Sequence, residues 1–475
     1  MKTENIQDIY QLTPLQKGIL FHSLYAPEFG LYIIQIRYSL RGELDISAFE
    51  RAWQQIIERH TVLRTSFYWE DIDNPLQVVY KQVQLPLQQY DWREIEPVEQ
   101  QRRLKEFILS DRKQGFDLSQ ECLMHLTLIR LGDDVYEFIW SKHHLIMDGW
   151  SVPVVLKEFV QIYEAFAQKQ PISLEPSRPF RDYIDWLQQQ DIAKTEAFWR
   201  QALKEVKEPT SLKNLEIDSF CDPRSDPFGN RQERYDEEQI KLSTATTAAL
   251  QSLAKQHQLT LNTLIQGAWA ILLGRYSCRN KVVYGCTVSG RPVELEGIES
   301  MVGVFINTLP IYVELDPQQF LVTWLQRFQN QLAQARHYEY TPLTDIQGWS
   351  EVPRSLPLFE SIVVFENQPV TQFLQEWKGN IEVRDSSLFY KTNYPLTIVA
   401  YPGFELAIAI SYDFQRFDTQ TIRSILHDFT VLLQNMTNNP QVRLKDLRIL
   451  SEEQQQRILM LEQEATFNFN LAVCS

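Results

Sequence analysis

The feature that most constrains the fold is an apolar strand pattern that ends in two adjacent histidines and runs directly into a helix. From Val135 the residues alternate, so that one face carries Tyr136, Phe138, Trp140, Lys142 and His144. Because neighbouring strand residues point to opposite faces, His143 and His144 cannot both face one cavity. The pattern therefore predicts one histidine at a site and one in the scaffold.

The helix that follows has a recognisable start. Ser151 is predicted as its N-cap, and Pro153 lies in the first turn, where its missing N–H costs little. Gly149, at the corner before the helix, has two possible uses: a backbone angle that other residues avoid, or room for a ligand to approach closely. Asp148 lies one turn beyond the strand and is expected to fix the corner by pairing with a cation.

Composition limits the class of protein. A chain of 475 residues predicts two lobes or domains, and a net charge of −15 argues against nucleic acid or an anionic membrane as a partner. The five cysteines are odd in number and form no C-x-x-C pair, which favours free thiols in a reducing compartment. No apolar signal segment, membrane-spanning run or metal-ligand spacing occurs, so we expect a cytoplasmic protein without a metal site.

Residues 143–151 read His-His-Leu-Ile-Met-Asp-Gly-Trp-Ser. This stretch resembles the His-His-x-x-x-Asp-Gly core motif of condensation domains of nonribosomal peptide synthetases. Chloramphenicol acetyltransferase-like acyltransferases carry a shorter His-x-x-x-Asp-Gly form, so the motif alone leaves several acyltransferase families open.

Three companion motifs narrow the choice. Residues 12–22 (Leu-Thr-Pro-Leu-Gln-Lys-Gly-Ile-Leu-Phe-His), 59–67 (Arg-His-Thr-Val-Leu-Arg-Thr-Ser-Phe) and 297–310 (ending in Val-Gly-Val-Phe-Ile-Asn-Thr-Leu-Pro) are similar to further condensation-domain motifs, in the expected order. The resemblance covers residues 6–450. The last motif, at 391–396, departs from the commonest form in that family.

The resemblance implies an α/β fold of two chloramphenicol acetyltransferase-like sandwich lobes, which meet in a V-shaped pseudo-dimer with a tunnel between them. The implied divisions are a docking segment at 1–10, an N-terminal lobe at 11–170, a linker at 171–179, a C-terminal lobe at 180–445 and a linker towards a missing downstream domain at 446–475.

The implied activity is peptide bond formation between donor and acceptor thioesters, each held on the phosphopantetheine arm of a carrier protein. His144 is the expected catalytic residue, either as a base or as a hydrogen-bonding group for the attacking amine. His143 and Arg64 are expected to be structural, and Asp148 to pair with Arg291 or Arg64. The residues expected to line the tunnel are Gly149, Trp150, Ser151, Gly303 and Asn307. For the oxyanion, the backbone N–H of Gly149 and the His144 ring remain alternatives.

The resemblance also implies partners: an upstream donor carrier protein acting in trans through residues 1–10, and downstream adenylation and acceptor carrier domains. No cofactor is expected on the domain itself. The sequence of the 12–22 motif is similar to that of the corresponding motif in domains that accept a D-configured donor. The alternatives are an epimerization domain, a free CoA-dependent acyltransferase and a non-catalytic docking module of the same fold. A heterocyclization domain would carry aspartates in place of the histidine pair.

Overall fold

A computed structural model describes residues 3–25, 32–216, 235–366, 380–389, 392 and 394–448. The strands are β1 (Ile6–Gln11), β2 (Ile33–Gly42), β3 (Thr65–Tyr68), β4 (Leu76–Tyr80), β5 (Leu87–Asp91), β6 (Met124–Arg130), β7 (Val135–His143), β8 (Tyr235–Lys241), β9 (Lys281–Val288), β10 (Asn307–Glu314), β11 (Ser361–Phe365), β12 (Ile381–Phe389), β13 (Leu396–Tyr401) and β14 (Ala407–Asp413). The helices are α1 (Pro14–Tyr25), α2 (Ile46–Arg59), α3 (Pro97–Gln114), α4 (Ser151–Ala167), α5 (Arg181–Leu187), α6 (Ile192–Ala202), α7 (Thr244–Gln256), α8 (Leu261–Tyr276), α9 (Leu321–Arg336), α10 (Leu343–Trp349) and α11 (Thr419–Asn438). This is the mixed α/β fold that the sequence predicted.

The sheet that carries the histidine strand has the order β12-β2-β7-β6-β5, with β7 at its centre. The apolar face of β7 packs against α2 and α4, where the rings of Trp53 and Trp140 lie 5.0 Å apart. Helix α2 forms because its apolar residues recur at helical spacing and because Asp45 caps its first turn, accepting the backbone N–H of Ala48 at 2.9 Å. These contacts fix the strand that ends in the histidines through its apolar face.

The segment expected to dock a partner is part of a folded sheet. Residues Ile6–Gln11 form β1, which pairs with β4 in a second, three-stranded sheet of order β1-β4-β3. Residues 1–2 lie outside the described part. A docking role for residues 1–10 stays a prediction, now for a strand rather than a free tail.

The second lobe is built on a six-stranded sheet of order β10-β9-β11-β13-β14-β8. Its strands β9, β11 and β13 run parallel to one another, and the pairs at both edges are antiparallel. Helices α7, α8, α9 and α11 contribute apolar residues to its core.

The expected division at residue 180 needs correction, because parts of the later sequence belong to the first core. Strand β12 pairs with β2 of the first lobe from Ile381 to Phe389. Apolar side chains between Leu295 and Phe305, and those of α5, also join the first core. Residues 171–179 carry no helix or strand, as expected for a linker, but the chain enters the second core only at α6, through Trp199. The expected linker at 446–475 lies almost wholly outside the described residues.

A search of the described helices finds none with the length and apolar character needed to span a bilayer.

Candidate active site

His144 lies in the first position after β7, where the chain turns towards α4. Its backbone N–H donates to the carbonyl of Tyr32 at 2.8 Å, and the two rings meet edge to face with centroids 6.4 Å apart. The side chain is partly exposed. Its Nδ1 atom is buried and has no hydrogen-bond partner within the described chain. His144 is thus a fixed imidazole with unused hydrogen-bonding capacity.

His143 points the other way, as the strand alternation predicted. Its Nδ1 accepts the backbone N–H of Leu145 at 3.2 Å, so its Nε2 carries the proton, which faces Ser23 Oγ at 3.3 Å. The ring is almost fully buried and packs against Phe116. A buried ring with both nitrogens engaged suits a scaffold role.

Both histidines are held in the neutral form. Burial lowers the pKa of His144 to about 4, and the nearby charge of Lys142 contributes to the same shift. Burial likewise lowers the pKa of His143 to about 3, assisted by His144 and Lys142. At neutral pH, His144 is therefore an uncharged imidazole that can accept or donate a hydrogen bond.

Asp148 fastens the turn to the later segment of the chain. Its Oδ1 accepts the backbone N–H of Ser151 at 2.9 Å, which caps α4. Its Oδ2 accepts the backbone N–H groups of Phe305 and Ile306 at 3.0 and 3.2 Å. The carboxylate is completely buried. Because each oxygen accepts backbone N–H groups, Asp148 acts as a cross-brace between residues 148–151 and 303–306.

The cation beside Asp148 is Arg291. Its Nη2 lies 3.8 Å from Asp148 Oδ1 and donates to Ser151 Oγ at 3.0 Å, while Nη1 donates to the Met301 carbonyl at 3.0 Å. Its guanidinium also lies over the ring of Phe305, 4.1 Å from the centroid. Of the two candidate cations, the structure selects Arg291.

Arg64 lies elsewhere and does not pair with Asp148. Its Nε and Nη2 donate to the carbonyls of Ile57 and Glu58 at 2.9 and 3.1 Å, at the end of α2. Its Nη1 donates to Gln7 Oε1 at 2.8 Å and also contacts the Tyr80 carbonyl. Arg64 is buried, as predicted, and it joins α2, β1 and β4.

Three of the residues expected to line a tunnel are buried instead. Ser151 is the first residue of α4 rather than its N-cap, and its Oγ donates to Asp148 Oδ1 at 2.8 Å. Gly303 leaves no space for a side chain, because a Cβ atom there would lie 2.2 Å from the ring of Phe180. Asn307 donates through Nδ2 to the carbonyl of Glu339 at 2.8 Å and also contacts that of Thr341. Ser151 and Gly303 belong to the cross-brace, whereas the side chain of Asn307 is bonded to residues 339–341.

Gly149 and Trp150 remain at the surface of the turn. Gly149 is exposed, and a Cβ atom there would meet nothing within 4 Å. Its φ is not positive, which excludes the unusual backbone angle as its reason. Room for a ligand at Gly149 stays a prediction. Trp150 is partly exposed beside it.

A motif far from the turn in sequence also supports it. Thr13 and Gln16 form a reciprocal capping box at the start of α1, with bonds of 3.0 and 3.1 Å. The amide of Gln16 then donates to the carbonyl of Leu145 at 2.9 Å. The 12–22 motif therefore holds the backbone immediately after His144.

Comparison with known proteins supports the family that the motifs predicted. Residues 6–459 match the family model of the condensation domain. The chain belongs to this family. It is 43% identical over 474 residues to one of the linear gramicidin synthase proteins of Brevibacillus parabrevis, a match that covers 100% of this chain but 6% of that protein. It is 32% identical over 460 residues to surfactin synthase subunit 3 of Bacillus subtilis (strain 168), with 96% of this chain and 35% of that protein covered. The chain thus spans a minor part of these curated relatives.

Solved structures share the fold of this condensation domain. The first condensation domain of the calcium-dependent antibiotic synthetase, in complex with a substrate analogue, matches with a TM-score of 0.75 at 16% identity, over 94% of this chain and 100% of that one. A four-domain nonribosomal peptide synthetase bound to AMP and glycine matches with a TM-score of 0.76 at 21% identity, over 94% of this chain and 34% of that one. The predicted family is confirmed, and the epimerization and docking-module alternatives are not favoured.

Two residues near His144 in this condensation domain were not predicted as site residues. Tyr32 has a φ of 65°, an angle that an aromatic residue rarely adopts. The sequence carries no signal for this strain. Lys142 is completely buried two residues before His144. The strand alternation did place Lys142 on the face of His144, which was the available signal.

Proposed function

We propose that this chain joins a carrier-bound donor thioester to the α-amine of a carrier-bound acceptor, with His144 contacting the attacking nitrogen. The observation that carries the proposal is the position of the His144 ring: it is fixed at the end of β7, partly exposed and neutral, in the same turn that carries the exposed Gly149. The amine nitrogen forms a bond to the thioester carbonyl carbon, the carbon–sulfur bond breaks, the thiol leaves and the nitrogen loses a proton.

His144 serves this reaction better as a hydrogen-bonding group than as a strong base. An imidazole with a pKa of about 4 cannot efficiently deprotonate an ammonium whose pKa is near ~8. A neutral ring can accept a hydrogen bond from the neutral amine and aim its lone pair at the carbonyl. Correct orientation of two tethered reactants contributes up to roughly 7–11 kcal/mol to lowering the barrier. Positioning is therefore sufficient for a substantial rate enhancement.

The developing oxyanion needs a donor. We favour the backbone N–H of Gly149 as this donor. In the described chain the N–H groups of Asp148, Ser151 and Val152 each have an assigned acceptor, whereas that of Gly149 has none. The exposed position of Gly149 supports the same assignment.

Delivery of the two substrates forms part of the proposal. We propose that phosphopantetheine arms enter a tunnel between the two lobes from opposite sides. The donor carrier protein would act in trans through β1 and the residues before it. Adenylation and acceptor carrier domains would act downstream. We further propose a cytoplasmic location and a donor that ends in a D-residue. The relatives are peptide synthetase proteins far longer than this chain, which supports a multidomain setting.

The test is a single-turnover assay with two loaded carrier proteins, one with an L- or D-configured donor and one with an L-configured acceptor. We expect dipeptidyl thioester from the wild-type chain, with the D-donor preferred. His144→Ala should lose most of the product while the melting temperature stays close to that of wild type. His125→Ala, which removes a partly exposed histidine on β6, is the matched control and should retain activity.

Each alternative has its own outcome in this assay. A docking module yields no product with either donor. An epimerization domain interconverts the donor configuration without forming a dipeptide, and a CoA-dependent acyltransferase requires a free CoA thioester. Equal product from wild type and His144→Ala would remove the proposed role of His144.

A further inference from the structure

Lys142 is a cation buried in the core of the first lobe. It lies on the core face of β7, and its cross-strand neighbours are Ile34 on β2 and Met124 on β6, both of them core residues. Its exposed fraction is 0%. Lysine is almost never fully buried unless it is paired, because an ammonium loses its hydration in the interior. A lysine in this position therefore requires an explanation.

The contacts of Lys142 point to the His144 turn. Its Nζ donates to the carbonyl of Met147 at 3.0 Å. No carboxylate lies within salt-bridge distance of Nζ in the described residues. The nearest acidic group along the turn, Asp148, already accepts hydrogen bonds from Ser151, Phe305 and Ile306. The bond to Met147 thus spans the turn from strand to cross-brace, with His144 between its ends.

We propose that Lys142 is a positioning residue for amide formation, which holds the turn that carries His144 and keeps the His144 ring uncharged. This inference rests on the proposed function, since it assigns Lys142 an effect that acts through His144. The hydrogen bond to Met147 fixes the backbone on the far side of His144. The positive charge, two residues away on the same face, opposes a second positive charge on the ring.

The electrostatic surroundings are consistent with this assignment. Burial lowers the pKa of Lys142 to about 7, and Asp148 opposes part of that shift. Below about pH 7 Lys142 carries its charge, and in this range a histidine of ordinary pKa would also become protonated. The titratable groups that interact directly with the pair are His143 on β7, Asp148 on the turn and Tyr32 just before β2. Beyond them, His22 on α1 lies against Tyr32, and Arg291 and Glu366 of the later sequence interact with Asp148.

Two neutral substitutions separate the hydrogen bond from the charge. Lys142→Gln removes the charge and keeps a donor, whereas Lys142→Met removes both. The exposed Lys281, which pairs with Glu205 in the second lobe, provides the matched control Lys281→Met. The 475-residue chain contains eight histidines, so their ring carbon signals can be followed by NMR, with His144 assigned by its absence in His144→Ala.

We expect both Lys142 variants to raise the pKa of His144 by at least about half a unit, because a neutral side chain no longer opposes protonation of the ring. Lys142→Met should also lower kcat by roughly tenfold or more with a smaller change in KM, because the turn loses its fixed end. Lys142→Gln should lose less. Lys281→Met should leave the His144 titration and kcat unchanged.

Wild type supplies an independent measurement if either variant fails to fold. Its His144 ring signals should shift a second time near pH 7, as Lys142 loses its proton. An unchanged pKa of His144 in both folded variants, or the absence of that second shift in wild type, overturns the inference. The NMR titration does not depend on activity, so failure of the proposed function, shown by active His144→Ala, is distinguishable from failure of the Lys142 assignment.

Discussion

Asp148 accepts the backbone N–H of Phe305 at 3.0 Å, although 157 residues separate them in the chain. The same carboxylate caps α4, and Arg291 lies 3.8 Å away against the ring of Phe305. The His144 turn is therefore built from two distant stretches that share one buried network. Its geometry depends on both, which explains why the 143–151 and 297–310 motifs occur together.

Asp148→Ala should destabilise the chain and reduce activity. The substitution leaves Arg291 buried without its partner and leaves the N–H groups of Phe305 and Ile306 unpaired, at a cost of about 3–5 kcal/mol. The measurement is urea unfolding followed by the two-carrier assay. Asp134→Ala, which removes an exposed ion pair with Arg41, should leave the unfolding midpoint nearly unchanged. An Asp148→Ala protein with wild-type stability and no activity would contradict the structural assignment.

Gly149→Ala should separate activity from stability. The added methyl meets no atom within 4 Å, so the free energy of unfolding should change by less than about 0.5 kcal/mol. Product formation should fall if the substrate approaches this corner closely. Gly303→Ala should behave in the opposite way and lower stability, because its methyl would overlap the ring of Phe180. Unchanged turnover in Gly149→Ala would show that the open space at Gly149 serves no substrate.

The pH dependence of amide formation should follow the ionisation of the acceptor amine and not that of His144. Because the pKa of His144 is about 4, its ring stays neutral from about pH 6 upward. The amine becomes a nucleophile only as it loses its proton near pH ~8, so the single-turnover rate should rise about tenfold per pH unit from about pH 6 and level off near pH ~8. A β-fluorinated acceptor with a more acidic amine should move the plateau to lower pH. A plateau that begins near the ordinary histidine pKa of about 6.5 with either acceptor would instead indicate a histidine base.

Local patterns were sufficient to predict much of the fold. The apolar alternation located β7 to within one residue, and Pro153 was correctly placed in the first turn of α4. Both signals lie within a few neighbouring residues, where side-chain spacing and backbone capping decide the structure. The opposite orientation of His143 and His144 followed from the same alternation.

Contacts between distant segments were not predictable in this way. Strand β12 pairs with β2, and Phe305 lies in the first core, although both come from the later part of the chain. Their apolar patterns are compatible with either lobe, and only the assembled structure selects one. For the same reason the sequence left Arg64 and Arg291 as equal candidates for Asp148, and it assigned Ser151 and Asn307 to a tunnel when hydrogen bonds to distant residues bury them.

Lys142 should make the stability of the chain depend on pH in a defined direction. Its pKa is about 7 in the folded chain and about 10.4 when unfolded, so between these values the unfolded chain binds more protons. Stability from this group therefore rises with pH across that window, by up to about 1.4 kcal/mol per pH unit, and is lowest below about pH 7. We expect urea midpoints measured from about pH 7 to 9 to rise for wild type relative to Lys142→Met. The urea midpoints of Lys281→Met should change with pH in parallel with those of wild type across this range. Parallel curves for wild type and Lys142→Met would instead mean that Lys142 stays protonated in the core.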